Sequence, residues 1–573
     1  MPVGTLMPDP RLVVALLCVL ALGSLVVLIR RIRARGEYRP LEDVAIAAAE
    51  GRCSRSVTVA GWSIYALMLA LLAGQVFLPV DPQDEGQWLT YPWLIAHGRM
   101  PYRDVWMTYP PATYLMLALL MKAGTPGIVA ARGVGLLSRA VYPLLVGRVV
   151  TGSWRRFSWL AIPLTFCALF GASDIMAYPW ILAMPLVFMG FAAVGTRPLS
   201  SAALFFVAGT FRFEFAAAGF AALAAYAALN ALLRRPYRRA ALAAALLLLA
   251  SLSFFALLNG VTAGYAFRDI FLDQLGPVQR GRFMALWPPT FGPIAVPLAL
   301  VTFVGPPLAA AAALRVRRPD LAAAHLGVIV LMSHYYQRAE RAHLYGVAAI
   351  ALPWLLVSLL SLAADGPDST RPGRVGPAAG AEHLVARFAR GAAAWVMVPI
   401  ALWMALILAG YAAYVSPLSP LAANNVGTLD ARIVSAGVRA TIDRDAGEAR
   451  DDRAVIAYLD AHALPGQSVF IGPRRLRIPN TRTDLYYLLP VPPASRYLEI
   501  QPGLEAQPAI QRQIIGRLRS CAWVLLLHGG QFYRFATGPY PVPHPLLDQY
   551  VAHHYRMVLR NPTYLLLRRR TAS

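Results

Sequence analysis

Apolar runs separated by short polar segments fill the chain up to residue 415. Roughly 20 predominantly apolar residues are needed to cross a hydrocarbon core as helix. Runs at 12–29, 57–78, 157–171, 180–194, 199–210, 215–233, 240–258, 291–314, 321–334, 344–362 and 392–414 reach or approach that length. Residues 112–150 are apolar too, but Pro126-Gly127 interrupts them, so they read as two spans or as one broken crossing. The pattern predicts about 11 to 13 membrane helices. Beyond residue 416 the period changes. Helical patterns at 451–463, 510–519 and 545–555 alternate with strand patterns at 468–472, at 522–528 and, as two short strands, within 557–568. That alternation predicts a small α/β domain over 416–573.

Composition sharpens the class. The chain is 58% hydrophobic and only 14% charged, well below the roughly 25% charged residues of soluble domains. A polytopic α-helical membrane protein with a C-terminal α/β domain is the fold class that fits. The net charge of +24 would point to nucleic acid in a soluble protein. Here the excess sits in clusters between apolar runs: Arg30, Arg31, Arg33 and Arg35; Arg234, Arg235, Arg238 and Arg239; Arg315, Arg317 and Arg318. Such clusters mark cytoplasmic ends of membrane helices, so no nucleic-acid partner is expected. The run 12–29 lacks a small-residue cleavage site and its arginines follow it, which reads as an uncleaved first helix. The four cysteines are scattered and carry no metal-ligand spacing.

The arginine clusters orient the chain. With 30–55 cytoplasmic, the next span delivers residues 81–111 to the outside. A single crossing by 112–150 keeps Arg155 and Arg156 inside, and the later clusters then agree. Residues 1–415 form the membrane domain, 80–111 its first outer loop and 363–390 a cytoplasmic linker. Arg212, the segment 260–289, residues 337–343 and the C-terminal domain all fall outside.

The outer loop, DPQDEGQWLTYPWLIAHGRMPYRDVWMTYPP, is a polar island between two apolar runs. Adjacent Asp84 and Glu85 repel each other beside a membrane. They suit general-base work on an attacking hydroxyl, or a divalent cation, Mg or Mn, beside a phosphate leaving group. A solvated turn is the plain alternative. Residues 87–97 read as an aromatic helix at headgroup level, and Arg103, Asp104 and Tyr109 on the return path join the candidate substrate-binding set. Arg212 and Glu214 interrupt an apolar stretch, where ionisable residues pair or face a cavity. Arg338, Glu340, Arg341 and His343 lie in a dense outer cluster. Guanidinium groups there match a lipid phosphate in forked geometry, against the alternative of a snorkelling helix end. The segment 265–289 carries Arg268, Asp269 and Asp273 and reads as a solvated loop or a cover over a substrate. Arg474, Arg475, Arg477 and Arg482 read as a basic face.

D-E-G at 84–86, G-x-x-P-Y-R-D at 98–104 and Y-P-P at 109–111 together resemble the first outer loop of the GT-C glycosyltransferases. The branch is that of protein O-mannosyltransferases and lipid A aminoarabinose transferases, and more particularly the bacterial dolichyl-phosphate-mannose-protein mannosyltransferase-like proteins. The motif covers about thirty residues. The resemblance implies a multi-pass cell-membrane enzyme that works outside the cytoplasm. It would move a sugar from a polyprenyl phosphate to a hydroxyl of a cell-envelope glycan, lipid or protein, with inversion. It implies an acidic catalytic residue matched by Asp84 or Glu85. It does not choose between them, because a further acid, Asp81, precedes the pair. A transporter or flippase, or a non-catalytic assembly protein, are the rival classes; the former predicts charges at the bilayer midplane and matched broken halves.

Overall fold

The computed structural model describes residues 84–151, 177–278, 295–315, 317–337, 341–364, 433–436, 439–443, 446–473, 481–501, 503–528 and 545–570, with a few positions between 62 and 82. The expected linker at 363–390 falls almost wholly outside the described residues, as do Arg474, Arg475 and Arg477.

After the loop 81–111, residues 112–150 form two helices, α2 (Ala112–Lys122) and α3 (Gly127–Thr151). The break comes at Gly124, whose φ of +92° favours glycine. At about 1.5 Å per residue, the 11 residues of α2 are too short to cross a bilayer. Gly127–Val149 is long and apolar enough, as are Phe213–Leu232 and Arg238–Val261. The other apolar helices among the described residues are α4 (Pro179–Ala193), α5 (Pro198–Gly209), α6 (Phe213–Leu232), α7 (Arg238–Val261), α8 (Ala295–Arg315), α9 (Pro319–Leu331) and α10 (Arg341–Ala364). Small residues let them approach closely: a Cβ on Gly219 would stand only 2.1 Å from the Phe205 ring. On α7, Ala240, Ala243, Ala244 and Leu247 face the bundle while Leu242, Leu249, Leu252 and Leu257 are exposed, the division expected of a helix bordering lipid.

The C-terminal domain is a three-layer α/β unit. Its sheet has the order β3 (Val469–Pro473), β4 (Trp523–Leu527), β6 (Tyr564–Arg569), β5 (Tyr555–Arg560), with β3 and β4 parallel and the others antiparallel. Alternation along β3 and β4 sorts the two faces. Val469, Ile471, Trp523 and Leu525 pack with Val455, Ile456 and Leu459 of α11 (Ala446–His462). Phe470 and Val524 face Ile510, Ile514 and Leu518. That last set is the i, i+4, i+8 stripe of α13 (Pro508–Leu518), to which Leu547 and Val551 of α14 (Leu546–His554) add. A hairpin, β1 (Ile433–Ala436) with β2 (Arg439–Ile442), and the short helix α12 (Thr483–Leu488) complete the unit.

The loop helix α1 (Asp84–Ala96) is built into this domain. The expectation of a helix at headgroup level is corrected here. Trp88, Leu89, Tyr91 and Leu94 are buried in one core with Val469, Leu485 and Trp523. Thr90 donates to the Thr483 carbonyl at 2.7 Å and Tyr91 to Glu499 at 3.0 Å. Gly86 permits the contact, since a Cβ there would lie 2.6 Å from the backbone nitrogen of Asp484. Gly86→Ala must push α12 away from α1, and it should lower stability by about 1–3 kcal/mol, read as a lower melting temperature of the purified protein.

Residues 265–278, after α7, are likewise not a solvated loop, and 279–289 lie outside the described residues. The segment after α7 forms a π-helical turn, Arg268–Val278, whose Asp269 and Asp273 are buried. Asp269 accepts from the Met107 amide at 3.3 Å and Asp273 from the Trp106 indole at 3.1 Å, so this segment braces the return path of the loop 81–111.

Arg482, expected on a basic face, is buried. It binds Asp443 at 3.0 Å, Asp452 at 2.5 Å and Asp484 at 2.8 Å, and donates to Tyr564 at 2.8 Å. The three carboxylates offer atoms close enough to hold a metal, but the guanidinium already sits among them. Three acids against one base leave excess negative charge. Burial, with mutual repulsion, pushes Asp452 up to about 6 and Asp443 up to about 8. The folded chain therefore holds protons that the unfolded chain, with carboxyls near 3.8, releases. The associated stability is greatest at low pH and is lost as pH rises through those two values. The melting temperature should fall between about pH 5 and pH 8, and Asp443→Asn should flatten the slope.

Candidate active site

The site begins with a capping arrangement. Asp81 accepts the Asp84 amide on its side chain at 2.7 Å and the Gly86 amide on its carbonyl at 2.9 Å, satisfying two donors that a helix start leaves open. The extra acid at Asp81 is thus a helix cap. Its neighbours on α1 point opposite ways. Glu85 is fully buried and takes a two-pronged ion pair from Arg132 of α3, at 2.5 Å to Nε and 2.7 Å to Nη2. Asp84, one residue earlier, is exposed.

One helical turn after Asp84 on α1, Trp88 packs against Tyr178. Tyr178 immediately precedes α4, and its hydroxyl meets that of Tyr109 at 3.0 Å. Trp88 stacks on Tyr109 at 5.8 Å and meets Tyr178 edge-on at 6.1 Å. The Ala112 amide donates to the Thr210 carbonyl at 3.2 Å, which ties the exit of the loop to the turn carrying Arg212. Arg212, the residue before α6, lies 5.0 Å over the Tyr109 ring and 5.6 Å over Trp180. These are cation–π contacts that hold a desolvated guanidinium. Glu214 fixes it further, at 2.5 Å to Nη2 and 3.3 Å to Nε. Trp180 stacks on His334 at 4.0 Å, and His334 meets His343 at 4.4 Å.

One region therefore gathers Asp84, Tyr109, Arg212, Glu214 and His343 from segments far apart in sequence. Arg103 and Asp104 face elsewhere, toward a cleft against the C-terminal domain. Arg338 and Glu340 lie outside the described residues. Arg341 opens α10, and its side chain is outside the description too. Both Glu85 oxygens are engaged by Arg132, which leaves Asp84 as the carboxylate of the pair open to a cation. A hard divalent cation needs several converging oxygens, and this pair supplies one free carboxylate.

Sequence reasoning assigned no role to Arg132, Tyr178, Trp180 or His334. Arg132 carried one signal, a charge inside an apolar run, which calls for a partner; nothing local identified Glu85. Tyr178 and Trp180 look like any aromatics at a helix start.

No protein-family model matches the chain, and no curated protein matches it. Among solved structures it is similar to ArnT from Cupriavidus metallidurans bound to undecaprenyl phosphate. The two share 13% identity over 90% of this chain and 98% of that one, with a TM-score of 0.49. The apo state of the same protein gives 13% identity, 89% and 98% coverage, and a TM-score of 0.48.

Proposed function

We propose that the chain is a membrane glycosyltransferase using a polyprenyl-phosphate sugar as donor and a cell-envelope hydroxyl as acceptor, with Asp84 as general base. The observation that carries this reading is the split between the paired acids. Glu85 is sealed by Arg132, while Asp84 is exposed one helical turn before Trp88, which packs against the Tyr178–Tyr109 pair that Arg212 covers. A carboxylate in water at the edge of a cationic site is placed to accept a proton from a bound hydroxyl. The loop motif that resembles the GT-C enzymes supplies the substrate class.

In this mechanism Asp84 takes the acceptor's hydroxyl proton as the oxygen attacks the anomeric carbon. The bond from that carbon to the phosphate oxygen breaks on the opposite side, and the anomeric centre inverts. The bond's electron pair leaves with the polyprenyl phosphate. Arg212, held in place by Glu214 and by the faces of Tyr109 and Trp180, stabilises that charge where water is excluded, with Arg338 and Arg341 as further partners. No step passes through a divalent cation.

The test is transfer of labelled sugar from a panel of polyprenyl-phosphate donors by the purified protein in lipid. Transfer from at least one donor is expected. No transfer from any of them, to a cell-envelope extract as acceptor, would remove the enzyme reading in favour of a non-catalytic assembly role.

A further inference from the structure

A concavity of about 580 Å³ is lined by none of the residues gathered around Asp84 and Arg212. It opens between the loop segment carrying Arg99, Arg103 and Asp104 and the C-terminal residues Arg496, Tyr497 and Arg517. Four guanidinium groups thus line it against one carboxylate. That carboxylate is engaged: Asp104 receives Arg103 at 2.9 and 3.0 Å and the Met100 amide at 2.9 Å.

Arg496 forms the inner wall. Its Nη2 donates to the Asp269 carboxylate and to the Tyr102 carbonyl. The guanidinium carbon lies 4.6 Å over the Tyr265 ring and 5.3 Å over Tyr497, and Nε and Nη1 have no hydrogen-bond partner. Both atoms are buried, so they belong to the inner wall and not to the opening. Arg99 and Arg517 are exposed at the mouth. Arg517 also ends α13, where a cation complements the helix dipole. Asp104 and Asp269 pair with Arg103 and Arg496, so the excess positive charge at the opening is that of Arg99 and Arg517.

We propose that this cleft binds an oxyanion, phosphate or carboxylate, carried by the acceptor; this rests on the transferase reading above. Its volume suits a sugar-sized group. It is also tied to the reaction site through a single residue. The Tyr102 carbonyl accepts from Arg496, and the Tyr102 hydroxyl donates at 2.8 Å to the Tyr109 carbonyl. Tyr109 in turn meets Tyr178. A chain of hydrogen bonds through Tyr102 and Tyr109 thus connects the wall of the cleft to Tyr178.

The test is calorimetric titration of the purified full chain in detergent with inorganic pyrophosphate, glucuronate and, as a neutral control, methyl glucoside. At least one anion is expected to bind, and methyl glucoside is not. The Arg99→Ala/Arg517→Ala double variant should weaken that binding about tenfold or more, as expected for lost charge-assisted contacts. The Arg99→Lys/Arg517→Lys variant should retain most of it, and added salt should weaken it. Preference for pyrophosphate supports a phosphate-bearing acceptor, and preference for glucuronate a carboxylate-bearing one. Binding of neither anion, or equal binding by the alanine variant, overturns the proposal. The titration needs no transfer to occur, so its failure is distinct from a failure of the transferase reading.

Discussion

Asp84→Asn should leave a folded protein whose sugar transfer is slower by about 10²- to 10⁴-fold, the usual contribution of a positioned general base. Asparagine keeps the size of the side chain and loses only the proton-accepting carboxylate. The Asp84 side chain is exposed, and the bond from its amide to Asp81 belongs to the backbone, so the substitution removes no packing. Melting temperature should match wild type while transfer from labelled donor collapses. Transfer within about twofold of wild type would move the base elsewhere, because Brønsted behaviour leaves no room for an amide in that role.

Its neighbour should behave oppositely. Arg132→Ala leaves the fully buried Glu85 without its partner, and stranding a buried charge typically costs about 3–5 kcal/mol. The expected result is a large drop in thermal stability, with any residual folded fraction keeping its capacity for transfer. Replacing both partners by apolar residues, Glu85→Leu with Arg132→Met, should recover much of the loss, since a well-packed apolar pair avoids desolvating two ions. Thermal unfolding of the three proteins checks this. Full stability in Arg132→Ala would mean that Glu85 is not committed to that pair, and Glu85 would return as a rival to Asp84.

Two adjacent acids in one sequence thus take opposite settings, one exposed and one buried, and this is where the sequence ran out of information. The loop was legible as a polar island because its charges sit between apolar runs. The helices were legible because lipid and protein interior both demand continuous apolar faces. The division between Asp84 and Glu85 depends on Arg132, 47 residues beyond Glu85, and no local pattern records such a pairing. Arg482 was misread for the same reason. Its cluster looked like a solvent-facing basic patch, while its partners Asp452 and Asp443 lie 30 and 39 residues upstream. The burial of α1 escaped because aromatic residues at helical spacing suit a headgroup layer and a protein core equally. Its docking partner, Thr483–Leu488, is too short to announce itself by period. The π-helical turn at Arg268–Val278 has polar residues that mark a loop until their partners on the loop 81–111 are known.

The central claim is a division of labour between two side chains, with proton acceptance at Asp84 and phosphate departure at Arg212. An electron-microscopic map of the protein in lipid with a polyprenyl phosphate tests it most directly. The account predicts phosphate density within hydrogen-bonding distance of the Arg212 guanidinium, about 2.7–2.9 Å, in a cavity that Asp84 also faces. Phosphate density in the Arg99–Arg517 cleft instead, or bound with Asp84 turned away from it, would contradict the account.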